Sequence, residues 1–245
     1  MKIKVLYEDK DILAIDKPSG ISVHSDGKTK GSTITDWVIK NYPKLKGVGE
    51  PITFDDKEID RPGIVHRLDK ETSGVLLIVK NKKAYEFFKK QFMDREIKKT
   101  YVAVVSGWVK LDHGIINKPI GRSPSDFRRR LAGRGARGEL RPAITEYKVL
   151  KRFEAPISKN FQKSTLEKFT YLEIHPKTGR THQIRVHLKF LNHPVACDSL
   201  YNPKGFCSET FKRLMLHAKV IEFKNLKGKI VKIESPLPKE FKSII

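Results

Sequence analysis

The clearest candidate for chemistry in the sequence is the carboxylate of Asp69, in the stretch HRLDKETSG of residues 66–74. Arg67 and Lys70 bracket it, and short apolar runs flank the stretch on both sides. A carboxylate acts as a nucleophile or a general base only when it is ionised, and positive neighbours favour the ionised form. The pattern therefore predicts a charged acid held in a loop between two buried segments.

A second group of candidates lies in HPKTGRTHQIRVH, residues 175–187. Thr181 is typical of a helix N-cap, and the apolar residues after it recur on one face, which should pack on a sheet: Ile184, Leu188 and Leu191. Arg185 then lies on a neighbouring polar face, with Arg180 before the helix. Taken alone, such a face is more often a solvated basic surface than a functional site.

A third candidate is Tyr101, in the apolar stretch KTYVAVVSG, which is typical of a strand. Ala103 and Val105 share its face, so a core aromatic is the default interpretation of this tyrosine alone. The co-occurrence of a loop carboxylate, a helix arginine and a strand tyrosine favours a site.

Three familiar motifs are excluded. Residues 133–138, GRGARG, satisfy G-x-G-x-x-G, but FRRRLA precedes them and GELRP follows them, where a strand and a helix are required. HRLD lacks the other signatures of a kinase. His182 and His187 are five residues apart, a spacing that does not bring two ligands to one helical face. We therefore expect neither a nucleotide cofactor nor a metal.

The charge of the chain predicts a polyanionic partner. Lysine and arginine number 50 against 28 acids, giving a formal net charge of +22. A lysine-rich surface of the heat-adapted kind is the alternative, but it does not explain so large an imbalance. Residues 110–141 lack periodicity, and we expect a long loop or pair of loops there. This segment either becomes ordered when it binds a phosphate backbone or is a solvated loop without a partner. Its arginines are Arg122, Arg128, Arg129, Arg130, Arg134, Arg137 and Arg141.

Membrane insertion and secretion are not expected. No apolar run approaches the ~18 residues that span a bilayer, and the N-terminus lacks the apolar stretch of a signal peptide. The two cysteines, Cys197 and Cys207, lack metal-ligand spacing. A reducing cytoplasm is the expected compartment.

The elements that must position these candidates are predicted as follows. Strands are expected in VLYEDKDILAIDK, VLLIVK, KTYVAVVSGWV, PAITEYKVLKRF, FTYLEIHP, LMLHAKVIEF and KIVKIESP, and helices after Ser32 or Thr33, after Asn81 and in THQIRVHLKFLN. Strands outnumber scattered helices, and no internal repeat or linker is visible. We predict one α+β domain on a mainly antiparallel mixed sheet, flanked by helices and loops.

Six stretches in this order resemble the motif series of the RluA-type pseudouridine synthases: DKPSGISVH, HRLDKETSG, KTYVAVVSG, RPAITEY, HPKTGRTHQIRVH and LMLHA. The resemblance extends from Val5 to Pro238. One departure is Cys197, where the family usually has glycine before an aspartate. The resemblance implies a single catalytic domain over residues 1–245 with the pseudouridine synthase fold. We expect no separate N-terminal RNA-binding domain.

The resemblance also implies an isomerase that converts uridine in structured RNA to pseudouridine without cofactor or metal. The bond between ribose C1′ and N1 of uracil breaks, the flipped base turns, and C5 joins C1′. Asp69 would be the essential group, as nucleophile at the sugar or as base for the C2′ proton. Arg185 would form an ion pair with it, and Tyr101 would stack on the uracil.

The remaining residues implied by the resemblance bind substrate. Leu216 would contact the other side of the base, Arg67 would fill the space that the flipped base leaves, and His66 would orient the loop. Arg180 and the arginines of the basic segment, Arg128, Arg129 and Arg130 among them, would hold phosphates.

Several alternatives stay open. Ribosomal RNA and transfer RNA are both candidate substrates, because RNA shape rather than a motif carries specificity. The rival hypothesis is a non-catalytic RNA-binding or ribosome-associated protein. A DNA-binding factor is disfavoured, since the chain lacks a helix-turn-helix or zinc signature. A monomer is the default expectation.

Overall fold

The computed structural model describes residues 2–25, 31–54, 57–133, 135–158, 164–203, 207–208 and 211–244, so that Arg134 lies outside the described residues. The chain divides into two compact units, one of Met1–Lys98 and Ala218–Pro236, the other of Lys99–His217 and Leu237–Ile245. No helix of the described residues is long and apolar enough to cross a membrane.

Strands outnumber helices along the chain. In order they are β1 Lys4–Glu8, β2 Ile12–Lys17, α1 Ile34–Asn41, a 3-10 helix Pro43–Leu45, β3 Ile52–Phe54, β4 Lys57–Ile59, β5 Ser73–Val79, α2 Lys82–Met93, β6 Lys98–Ser106, β7 His113–Asn117, β8 Ile120–Arg122, β9 Arg130–Ala132, β10 Arg137–Arg141, β11 Ile144–Ser158, β12 Ser164–Pro176, α3 Gln183–Phe190, β13 Leu216–Lys224, β14 Ile230–Glu234 and α4 Lys239–Lys242. Few helices and mainly antiparallel strands confirm the predicted α+β class.

In the first unit, β2 pairs antiparallel with both β1 and β5. Every residue of β5 is buried, as expected for its continuous apolar run. Both predicted helix starts are confirmed: Thr33 closes a capping box on α1, and Asn81 caps α2 by accepting from the Ala84 amide. Gly74, the second residue of β5, has φ +118°, and a Cβ there would lie 2.2 Å from the carbonyl oxygen of Ala218, so only glycine fits.

The second unit is built on β6, β12, β11 and β7, which pair antiparallel in that order. The apolar face of α3 is confirmed, because Ile184 and Leu188 belong to the core cluster and Leu191 packs against it. Arg185 is buried on this helix, so that a solvated basic face is the wrong description of its side chain.

Two predictions for the second unit are wrong. Residues 110–141 are not loops, since they hold β7 to β10, and β10, β8 and β9 form a separate three-stranded sheet. All five residues of β10 are exposed, so no apolar periodicity marks the strand. The N-cap of α3 is His182, at φ 57°, rather than Thr181. The α3 N-terminus has no side-chain cap; instead the Gln183 side chain accepts from the Arg180 amide and from the Thr178 hydroxyl, which holds the turn before the helix.

The two cysteines form a disulfide, Cys197–Cys207. Disulfides are rare in a reducing cytosol, apart from those of hyperthermophiles, so the low cysteine count no longer argues for a cytoplasmic location. Cys197 has φ 58°, the left-handed region that favours glycine. The position where the resembled family usually has glycine therefore keeps a glycine-like backbone here.

Candidate active site

The Asp69 loop is anchored at both of its ends. Leu68 before the carboxylate is buried, and after it the Thr72 amide donates to the Asp69 carbonyl at 3.1 Å, closing a turn. Thr72 and Ser73 are themselves buried where the loop enters β5. The Asp69 side chain is half-buried. The predicted loop between two buried segments is thus present.

The buried ammonium of Lys17, at the end of β2, is hydrogen-bonded to this loop. The side chain is 0% exposed, and Nζ donates to the carbonyls of Pro18 at 2.9 Å, Ile21 at 2.8 Å and Lys70 at 2.9 Å. A buried charge persists only when hydrogen bonds compensate its desolvation, and carbonyl dipoles do so here. The acceptor Lys70 is the residue that follows Asp69.

The turn Pro18-Ser19-Gly20 is attached to the same loop. The Gly20 amide donates to the Lys70 carbonyl at 2.9 Å, and Ser19 Oγ donates to the Glu71 carbonyl at 2.6 Å. Together with Lys17 these contacts hold two consecutive carbonyls after Asp69. The backbone of the carboxylate loop is therefore preorganised.

The predicted loop residues His66 and Arg67 lie in the same unit as Asp69. His66 Nε2 accepts from the Leu77 amide at 2.8 Å, and its ring stacks on Phe92 with centroids 4.8 Å apart. This ties the beginning of the loop to the middle of β5. Arg67 is exposed, and its Nη1 lies 3.2 Å from Nε2 of His24. An exposed, cationic side chain next to the loop is suited to contact RNA or another polyanion.

In the second unit, the guanidinium of Arg185 is held by a buried carboxylate. Arg185 Nε donates to Asp198 Oδ2 at 2.7 Å, and Nη2 donates to Oδ1 at 2.8 Å. The two side chains are 7% and 0% exposed. A bidentate pair fixes the plane of the guanidinium.

The aromatic ring of Tyr201 completes this cluster. Its centroid lies 5.0 Å from Arg185 Cζ, in cation–π geometry, and its amide donates to Asp198 Oδ1 at 2.9 Å. The hydroxyl lies 2.9 Å from His182 Nδ1 and accepts from the Arg130 amide at 2.9 Å. One tyrosine thus links α3 to the three-stranded basic sheet.

The remaining predicted residues of this unit follow the strands. Tyr101 lies in β6 opposite Ile174 of β12 and packs, half-buried, against the core cluster that contains Leu216. Arg180 Nε donates to the Pro142 carbonyl at 3.1 Å. Lys99, two residues before Tyr101, was not among the predicted site residues; burial lowers the pKa of its ammonium.

The predicted phosphate-binding arginines 128–130 lie at the junction of a seven-residue loop and β9. Asp126 accepts from the amide and the guanidinium of Arg128, which lowers the pKa of its carboxyl to about 2. Arg128 remains 65% exposed and Arg129 35% exposed. The loop therefore presents positive charge outward.

Asp69 lies in the first unit, and Arg185, Arg180, Tyr101 and Leu216 lie in the second. The ion pair between Asp69 and Arg185 stays a prediction. Among the described residues, no group of three or more His, Cys, Asp and Glu side chains is placed to hold a metal ion.

The first prediction concerns the Arg185–Asp198 pair. Asp198→Asn should lower the free energy of unfolding by about 3 kcal/mol, since it removes the negative charge of the carboxylate that binds two N–H groups of the buried guanidinium. Denaturant unfolding measures the change. The matched control is Asp112→Asn, which removes a surface ion pair with Arg152 in which the aspartate side chain is 76% exposed. This substitution should cost at most about 1 kcal/mol of unfolding free energy. Equal losses for both variants would contradict the prediction.

Comparison with known proteins identifies similar sequences and folds. A family model described as RNA pseudouridylate synthase matches residues 11–190. An uncharacterized RNA pseudouridine synthase of Aquifex aeolicus is 38% identical over 99% of this chain and 72% of its own length. The ribosomal large subunit pseudouridine synthase D of Borreliella burgdorferi is 35% identical over 98% of this chain and 66% of its own length.

The fold comparison agrees with the sequence comparison. The solved structure titled human RNA pseudouridylate synthase domain containing 4 aligns with a TM-score of 0.70 at 26% identity, covering 97% of this chain and 90% of that one.

Proposed function

Since the chain belongs to the RNA pseudouridylate synthase family, as an enzyme of the RluA type that isomerises uridine in RNA, we propose that Asp69 is its essential catalytic group. The observation that carries the proposal is the anchored carboxylate loop HRLDKETSG inside the region that the family model matches. In the reaction the C1′–N1 bond breaks, C5 joins C1′, C5 loses a proton and N1 gains one.

Two roles for Asp69 are compatible with these changes in bonds and protons. As nucleophile, the carboxylate attacks C1′ while uracil leaves, and the base returns through C5. As base, it takes the C2′ proton and later returns it. Both roles need an ionised, fixed carboxylate. The hydrogen bonds from Lys17 and Ser19 to the two carbonyls after Asp69 support a fixed position.

Arg185 is proposed as the cationic partner of Asp69. Its support is the rigid setting of the guanidinium, because Asp198 holds two of its N–H groups and Tyr201 covers its face. Further N–H donors of the same group would meet the Asp69 carboxylate. Such a pair would keep the acid charged next to RNA, whose phosphates otherwise favour its protonation.

The flipped uridine needs contacts on both faces. We propose that Tyr101 stacks on the uracil and that Leu216 contacts its other side. Unstacking a base costs a few kcal/mol, and Arg67 would offset part of this by filling the vacated space. Its exposure next to the Asp69 loop supports that role. His66 would keep the loop oriented through its bond to β5.

Phosphate contacts are assigned to Arg180 and to arginines 128–130. Structured RNA is the substrate class, and we propose ribosomal RNA of the large subunit before transfer RNA, because the Borreliella relative carries that substrate in its name. Both compact units would act as one catalytic domain, since the family model extends from the first into the second. A monomeric state, the exclusion of DNA and a cytoplasmic location stay predictions.

The second prediction concerns arginines 128–130. Replacing all three by glutamine should weaken RNA binding and flatten its salt dependence, by roughly 0.7 in the log–log slope for each phosphate that is no longer neutralised. Binding is measured across a salt series. The control removes the same charge from exposed lysines of α2, as Lys82→Gln, Lys83→Gln and Lys90→Gln together. An unchanged slope in the arginine variant, or an equal change in the control, would contradict a specific contact.

The function itself is tested by mapping its product. Purified protein is incubated in buffer with a chelator and unmodified total RNA, and pseudouridines are located at nucleotide resolution. One or a few new sites in large-subunit ribosomal RNA would support the substrate proposal. Sites confined to transfer RNA would replace it. Tight binding without product would favour a non-catalytic RNA-binding protein.

A further inference from the structure

Phe127 is the most exposed large apolar side chain of the described residues, at 86%. It lies in the loop 123–129 between β8 and β9, next to Arg128. A single exposed aromatic is not unusual on a protein surface. Its setting, however, differs from that of an ordinary surface residue in three respects: rigidity, charge and connection to the Arg185 cluster.

The loop that carries Phe127 is internally hydrogen-bonded. The Ser123 amide donates to the Arg129 carbonyl at 3.1 Å, and the Arg129 amide donates to the Asp126 carbonyl at 2.9 Å. Asp126 also holds Arg128 through its amide and guanidinium. Arg130 Nη1 donates to the Phe127 carbonyl at 3.2 Å. A ring on such a loop loses little conformational entropy when a ligand covers it.

The charge around the ring selects the ligand. Arginines 128–130 follow Phe127 directly, and Asp126 binds Arg128 and Arg129 from within the loop. An unpaired nucleotide offers an aromatic face for the ring and a phosphate for the arginines at the same time. An apolar protein surface or a lipid chain would pack against the ring but would offer no negative charge to the arginines.

The loop is also joined to the proposed catalytic arginine. The amide of Arg130 donates to the hydroxyl of Tyr201, whose ring covers Arg185. Helix α3 and β9 are thereby connected within one unit through a single side chain. A nucleotide bound at Phe127 therefore contacts a segment that is hydrogen-bonded to the catalytic cluster.

We propose that Phe127 is a stacking platform for an unpaired base of the substrate RNA close to the target uridine. The proposal rests on the RNA-binding role assigned above to arginines 128–130, and it adds a recognition element that reads unpaired bases. RNA in which every base near the uridine is paired would be a poor substrate.

Affinity measurements separate stacking from charge. Phe127→Ala should weaken binding of single-stranded oligouridine roughly 5- to 150-fold, the range of one base–aromatic stack. Phe127→Leu should behave as Phe127→Ala does, because it keeps apolar bulk without a π face, and Phe127→Trp should retain affinity. The salt slope should stay that of wild type, since every cation is retained. Leu111→Ala, at a site 69% exposed, is the control and should change nothing.

Fluorescence reports the stack directly. In Phe127→Trp, measured against wild type to subtract Trp37 and Trp108, single-stranded oligouridine should quench the new emission and shield it from acrylamide. A fully paired duplex of equal length should do neither.

The outcomes distinguish this inference from the proposed function. Wild-type affinity in Phe127→Ala, or wild-type affinity in Phe127→Leu, would overturn stacking while pseudouridine formation and the arginine result stand. Quenching of the new tryptophan by the duplex would overturn the preference for unpaired bases. Absence of pseudouridine from wild-type reactions would instead overturn the function and leave the binding test intact.

Discussion

Asp69→Asn is expected to abolish pseudouridine formation while leaving RNA affinity nearly unchanged. The amide is nearly isosteric with the acid, so the anchored loop should keep its shape. It has no negative charge to attack C1′ or to take the C2′ proton. General-base catalysis alone is worth roughly 10²–10⁴-fold, and loss of a nucleophile removes the covalent route altogether, so activity should fall by at least about 10²-fold.

Affinity should persist in this variant because the proposed phosphate contacts lie in the other unit, on arginines 128–130. The measurement is single-turnover product formation at saturating enzyme, with binding assayed on the same RNA. Asp94→Asn, a surface carboxylate paired with Lys90, is the control and should keep full activity. Turnover by pure Asp69→Asn would show that the carboxylate is not essential for the reaction. Weakened RNA affinity in this variant would show that Asp69 contributes to binding.

The sequence predicts the elements whose signals are local. The capping residues Thr33 and Asn81 and the buried run of β5 are recognisable because each signal lies within a few consecutive residues. The sheet of β8, β9 and β10 is not, because β8 and β9 have only three residues each and β10 is exposed along its whole length. Its outer strand RGELR carries polar side chains and a glycine, which are typical of loops.

The site is predictable to a similar extent. Asp69 stands out as an acid between cations, but the partner of Arg185 does not, because Asp198 lies in NHPVACDSLY, a stretch without periodicity or a motif that marks burial. Tyr201, in the same stretch, bonds to a residue 71 positions away. Contacts of that kind depend on the tertiary fold.

Lys17 is the residue that the sequence was least able to indicate. It is one of 50 lysines and arginines, and nothing in its type reveals that it is fully buried. Its position contained a signal nonetheless: it closely follows the apolar run ILAI and precedes the turn PSG, where a lysine at the end of a buried strand can reach the carbonyls of the turn. Its hydrogen bonds join that turn to the Asp69 loop.

Lys17→Met should therefore be strongly destabilising. Hydrogen bonds to a charged donor are worth about 1.5–3 kcal/mol each, and three are removed, although the cost of burying the ammonium is relieved as well. We expect the free energy of unfolding to fall by about 4 kcal/mol or more. Protein that stays folded should bind RNA normally and form pseudouridine slowly, because the backbone after Asp69 is no longer fixed.

Denaturant unfolding and single-turnover assays at low temperature measure the two effects. Lys98→Met replaces a lysine that is 78% exposed and should change stability by no more than about 0.5 kcal/mol. Ser19→Ala removes only the bond to the Glu71 carbonyl, so it should cost about 1 kcal/mol and slow the chemistry without unfolding the protein. Full activity in folded Lys17→Met and in Ser19→Ala would show that the carboxylate keeps its position without these anchors. Slow pseudouridine formation with normal RNA affinity in both variants would show that Lys17 and Ser19 hold Asp69 in its reactive position.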